Sequence, residues 1–180
     1  NSMVKRYHAG RLPVKGKYTF VIPDPVAICQ NWFLHIDDPP GLLKDGAVSC
    51  RLYSKANKLD CLRSPHLYRE HAVRNNVVNE ETEKWFQTDA VYTSCKDLIS
   101  KILQFDCHGD ILLVVADETI IKVAERNMEG IVPLYYDMKK AEATILTTER
   151  FYEGMTAAWT GGNIGAISND ITKIWNSSDN

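Results

Sequence analysis

No Cys-x-x-Cys pair occurs among the five cysteines, Cys29, Cys50, Cys61, Cys95 and Cys107, and their number is odd. A disulfide frame pairing all of them and the usual zinc-knuckle spacing are both excluded, and the pattern fits reduced thiols. No apolar run approaches the ~20 residues that a membrane-spanning helix needs, and no signal peptide opens the chain. The expectation is a cytoplasmic protein with no membrane partner. A surplus of either charge is missing as well. A net charge of −2 and a pI near 6.2 give no global attraction to nucleic acid, so any such binding must come from a local patch. No internal repeat is visible at the level of residues. The opening Asn-Ser-Met reads as a tag scar ahead of a start methionine, which makes a fragment of a larger protein an expectation.

With 44% hydrophobic and 24% charged residues, the chain has the apolar material for one sizeable core or two small ones, and disorder is not expected. Short runs rich in Val, Ile, Tyr and Phe, bounded by Pro, Gly, Asp and Asn, predict strands at Lys17–Pro23, Ala47–Tyr53, Lys58–Arg63 and Thr88–Ser94. The aliphatic run in DILLVVAD, Asp110 to Asp117, predicts a strand with both faces covered. Helices are expected over Ser94–Gln104, with Ser94 as cap, over Asp117–Asn127, from Thr147 or Thr148 onward, and through GNIGAISNDITKIWN, where Ile164, Ile167, Ile171 and Ile174 share one face. Cys29–Gly46 and Ser64–Trp85 read as irregular, the second with room for a short helix. Strands first and helices last make an α+β fold. The four tryptophans, Trp32, Trp85, Trp159 and Trp175, read as core or interface fillers.

The chemistry concentrates in Asp106-Cys107-His108-Gly109-Asp110, just ahead of the aliphatic strand. In an extended or gently turned loop, alternate residues project to one side, so Asp106, His108 and Asp110 can converge while Cys107 faces away. Gly109 permits a tight turn and a close backbone approach. Two carboxylates at one point need a cation between them, and Mg²⁺ is held by one or two carboxylates together with substrate phosphates. His108 would shift the preference toward Mn²⁺ or Zn²⁺. A polar turn of Asp and Gly feeding a core strand explains the same five residues without any ligand. A zinc site using Cys107 with His108 is disfavoured, because adjacent side chains point apart.

Taken in order, FVIPDPVAICQ, LLKDGAVSCRL, CLRSPHLYREHAV, DAVYTS and FDCHGDILLVVAD resemble the second double-psi β-barrel of the RNA-dependent RNA polymerases of RNA silencing and their bacterial and phage relatives. GNIGAISNDITKIWN resembles the helix that follows that barrel, so the resemblance spans roughly residues 17 to 175. It implies a six-stranded double-psi barrel over residues 17–118, preceded by an N-terminal arm over 1–16 and followed by a helical extension over 119–180 packed on the barrel. It further implies nucleotidyl transfer from an NTP to an RNA 3′ end, with Asp106, His108 and Asp110 at the catalytic loop and Mg²⁺ (or Mn²⁺) on Asp106 and Asp110. His108 stands where the family carries its middle acid. A catalytically inactive barrel serving nucleic-acid binding or assembly is therefore the alternative.

By the same resemblance, Arg63 falls in the family's Arg-x-Pro segment. With Arg69 and Arg74, among His66 and His71, it forms a basic and aromatic cluster suited to nucleotide or nucleic-acid contacts. A surface turn and a solvated helix face account for those arginines equally well. The implied partners are NTP, an RNA or DNA template, and a first polymerase barrel from the same or another chain. Homo-oligomerisation through uncovered apolar surface is a further expectation.

Overall fold

The computed structural model describes residues 2–8, 13–64, 70–131, 142–161 and 164–177. Residues fall into two compact units, one of residues 1–64 with 69–133 and one of 65–68 with 134–180. The first opens with a short helix, α1 (Ser2–His8), and is built on six strands: β1 (Gly16–Pro23), β2 (Ala47–Ser49), β3 (Lys58–Leu62), β4 (Ala72–Asn76), β5 (Val91–Thr93) and β6 (Ile111–Val115). They close into a barrel in the order β1-β5-β2-β4-β3-β6, so every strand is hydrogen-bonded along both edges. The α+β fold with a closed six-stranded barrel is thus as expected. The barrel carries a symmetry that no sequence repeat betrays. β1 pairs parallel with β5 and β4 parallel with β2, β1 and β6 mirror β4 and β3 as antiparallel pairs, and β2 with β5 and β3 with β6 close the set. Exchanging β1 with β4, β2 with β5 and β3 with β6 maps the β1–β5 pairing onto β4–β2 and β1–β6 onto β4–β3 in the same sense, and leaves β2–β5 and β3–β6 unchanged.

Inward residues from all six strands, among them Val21, Val48, Leu59, Ala72, Val91, Leu112 and Val114, form the core. A second cluster unites Leu43, Ala47, Ala90, Phe86 and Tyr92, the last two stacked with ring centroids 4.3 Å apart. α5 (Glu118–Met128) starts on Asp117, whose carboxylate accepts from the Thr119 and Ile120 N–H groups at 3.0 and 3.1 Å. It packs on β3 and β4 and buries Ile121 and Ala124. The second unit contains α6 (Thr148–Thr160), capped by Thr147, and α7 (Ile164–Ser177).

Five local expectations differ from the structure. Cys29–Gly46 is not wholly irregular, since α2 (Pro25–Leu34) runs into it. Its start is built by Asp24 as N-cap and Pro25 in the first turn, where a missing N–H costs nothing. β4 lies inside Ser64–Trp85, the second stretch read as irregular, ahead of the expected short helix α3 (Glu80–Trp85). Its AVRNN sequence has little strand character, and pairing to β2 and β3 supplies it. Residues Arg51–Tyr53 form a 3₁₀ turn instead of continuing β2. Asn76 holds that turn, accepting from the Cys50 N–H at 2.9 Å and donating to the carbonyls of Tyr53 and Ala56 at 3.0 and 3.2 Å. Ser94 does not cap a helix. Its hydroxyl is buried against the Leu43 carbonyl (2.6 Å), and α4 is only Ile99–Leu103. Trp32 and Trp85 are exposed and fill no core.

Asp60 on β3 is fully buried and lies opposite Val73 and Val115. Its Oδ2 is 2.7 Å from His71 Nδ1, while Oδ1 has no hydrogen-bond partner among the described residues. That hydrogen bond holds the His71 imidazolium above the usual histidine range, against the opposing pull of burial. A histidine raised by folding contributes stability in full below its unfolded pKa of about 6.5 and loses it as pH rises through the folded value. Thermal melts at pH 6 and pH 9 should therefore show the wild type less stable at the higher pH. In His71→Gln that pH dependence should be largely absent.

Candidate metal-binding loop

Where β6 begins, the chain has just left α4. Gln104 ends that helix in the left-handed conformation at φ 52°, and Phe105 is buried in the core, anchoring the next residues. After Gly109, at φ 122° where a side chain would be strained, Asp110 leads into β6. The Val21 N–H of β1 donates to the Asp110 carbonyl at 3.1 Å, and Phe20 pairs with Ile111. The loop is therefore pinned by a core aromatic on one side and by a strand ladder on the other.

The Asp106 N–H donates to the Asp110 carboxylate at 3.0 Å, closing the loop on itself. His108 Nε2 lies 3.3 Å from the Asp106 carboxylate, and both side chains are more than three-quarters exposed. Asp110 is more sheltered, at 20% exposure, and its Oδ2 is 3.0 Å from Nε of Arg63, itself 25% exposed. Arg63 follows β3, and the antiparallel pairing of β3 with β6, Leu62 opposite Leu113, carries it to the start of β6. Desolvation, then the neighbouring Asp106 and Asp110 carboxylates, push the Cys107 thiol up. A cleft of about 430 Å³ beside Cys107 and Gly109 is lined by Thr19, Phe20, Thr88 and Asp89. A larger one, about 810 Å³, lies past the other end of β6, between the Leu52–Lys58 segment and α5.

Of the predicted site residues, the structure brings Asp106, His108, Asp110 and Arg63 together. Arg74 is engaged elsewhere. Its guanidinium makes a forked pair with the buried Asp97 carboxylate, one arm at 2.9 Å, and is itself mostly buried. Arg69 and His66 lie outside the described residues. No group of three or more His, Cys, Asp or Glu side chains able to hold a metal occurs among the described residues. The donor chemistry of the loop still fits a hard divalent cation. Two carboxylates lie on one short loop, a set that Mg²⁺ or Mn²⁺ completes with water and substrate phosphates. No helix among the described residues is long and apolar enough to cross a membrane.

Across 177 residues, 98% of this chain, the sequence is 51% identical to the DNA-directed RNA polymerase YonO of Bacillus phage SPbeta. The chain is similar, along almost its whole length, to part of a phage RNA polymerase. The expected resemblance to RNA polymerases with phage members is thereby borne out. The chain spans about a fifth of that relative, 21% of its length. Among solved structures, the RNA-dependent RNA polymerase QDE-1 from Thielavia terrestris matches 89% of this chain and 17% of its own, at 15% identity and a TM-score of 0.42. No family model matches the chain.

Proposed function

We propose that the chain is the catalytic-barrel region of an RNA polymerase, transferring nucleotides from NTPs to an RNA 3′ end on a nucleic-acid template. The observation that carries this reading is the 51% identity to a protein named an RNA polymerase over 98% of the chain. A DNA template is favoured by the same relative's name. The remainder of such a polymerase, including a first barrel, would be the partner of this one, and α6 and α7 its helical extension.

In the transfer, the 3′-hydroxyl oxygen bonds to the α-phosphorus, the bond to pyrophosphate breaks, and the hydroxyl proton leaves to a base or to solvent. A divalent cation on the loop would supply Lewis-acid charge for the attacking and leaving oxygens. Asp106 and Asp110 supply the negative ligand charge. Asp110 is held in place by the Asp106 N–H and by Arg63. His108 stands beside Asp106 and offers an imidazole where the family has its middle acid.

A second reading, a barrel that binds nucleic acid or assembles without catalysing, is favoured by that same substitution. Primer extension by the full-length protein with Mg²⁺ and with Mn²⁺, repeated for His108→Asp, separates the two. The catalytic reading expects extension by the wild type, with the variant gaining severalfold in Mg²⁺ relative to Mn²⁺, because a carboxylate is the harder ligand. Extension by the variant alone identifies a barrel silenced by His108. Extension by neither overturns the catalytic reading.

A further inference from the structure

We propose that Arg63 is the resident counter-cation of the loop: it holds Asp110 when no metal is present, and a divalent cation must displace it to use that carboxylate. Arg63 is thus a positioning residue that sets the loop's metal affinity. The proposal rests on the reading of Asp106 and Asp110 as metal ligands, and it assigns to Arg63 a role that no nucleotide contact supplies.

Three observations carry it. The two charged groups meet at 3.0 Å, and both are sheltered, so their attraction is less screened than that of the open His108–Asp106 pair. The oxygen that Arg63 touches, Oδ2, is also the one that accepts the Asp106 N–H, so Asp110 keeps one fixed hold when the guanidinium is removed. The pair joins the end of β3 to the start of β6, two strands whose register is locked by three paired positions. The guanidinium therefore cannot drift from the loop without its own side chain swinging away. A cation at Asp110 meets a positive charge already in contact with its ligand, and the two compete.

The test uses the 180-residue chain and Mn²⁺ as probe, followed by electron paramagnetic resonance of the free ion. Arg63→Gln removes the charge, Arg63→Lys keeps it, and Asp106→Asn reports whether binding belongs to the loop. Arg63→Gln is expected to bind Mn²⁺ about three- to tenfold more tightly than wild type, the size of a partly screened unit charge, while Arg63→Lys stays near wild type. Binding by Arg63→Gln where the wild type shows none is the extreme form of the same result. Asp106-dependent binding that is unchanged or weakened in Arg63→Gln overturns the role of Arg63 and leaves the metal loop standing. Absence of Asp106-dependent binding in every variant overturns both. Thermal melts of each variant keep the comparison among folded proteins, and a general loss of structure would weaken binding, never tighten it.

Discussion

Asp110→Asn in the full-length protein should lower nucleotide incorporation by about three orders of magnitude. The carboxylate and amide have nearly the same shape, and the remaining oxygen can still accept the Asp106 N–H that closes the loop. The change therefore removes charge and leaves the backbone course intact. A metal ligand's charge contributes several kcal/mol to stabilising a phosphoryl transition state, and each 1.36 kcal/mol is a factor of ten in rate. Asp106→Asn should act in the same direction, with less disturbance to Arg63, whose partner is Asp110. Single-nucleotide extension rates at saturating Mg²⁺ provide the measurement. A loss under tenfold in both variants would remove the two acids from the chemistry and return the loop to a polar turn.

Asp24→Ala should cost the barrel unit stability on the order of 4 kcal/mol, with a melting temperature lower by roughly 10–15 °C. Asp24 is buried at the end of β1, and its carboxylate accepts from four backbone N–H groups. Oδ1 takes Val26 at 2.9 Å and Ala27 at 3.4 Å, and Oδ2 takes Leu42 and Leu43, the latter at 3.0 Å. Alanine leaves these donors in a buried setting without an acceptor, and each unsatisfied donor costs about 1–3 kcal/mol before water or relaxation recovers part of it. Gly41 belongs to the same knot. At φ 60° it is in the left-handed region, and a Cβ there would come within 2.5 Å of Asp24 Oδ2. Asp24→Asn keeps one acceptor oxygen and should lose about half as much. Circular-dichroism melts of the three proteins check the order. Equal melting temperatures would mean that solvent replaces the carboxylate, contrary to its burial.

The loop and the strand it feeds were legible for local reasons. The aliphatic run from Ile111 to Val115 marks a core strand, although only Leu112, Val114 and Val115 are buried and Ile111 stays exposed, and Asp, Gly and His crowded ahead of it mark a turn with ligating groups. The caps of α5 and α6 were legible for the same reason, since Asp117 and Thr147 act on N–H groups two or three residues away. α2 carried a local signal too, Asp24 before Pro25, but the polar stretch after it outweighed that signal. β4 carried almost none, because two apolar residues followed by Arg74, Asn75 and Asn76 become a strand only between β2 and β3.

Arg74 marks the limit of reading side chains from a chain. In sequence it stands among histidines and arginines like a phosphate contact, yet strand pairing aims it at Asp97, where a forked ion pair holds it. Arg63 shows the reverse. Nothing in its neighbours names Asp110, and the β3–β6 register alone brings the two together. The acidic loop, the core strand behind it, the α+β class and the likeness to polymerases were all readable along the chain. These depend on residue type and short spacing. The fold alone reveals the order in which the strands close the barrel, its hidden pairing symmetry, and which cation faces which carboxylate. These depend on contacts between residues far apart in the chain, which no local preference specifies.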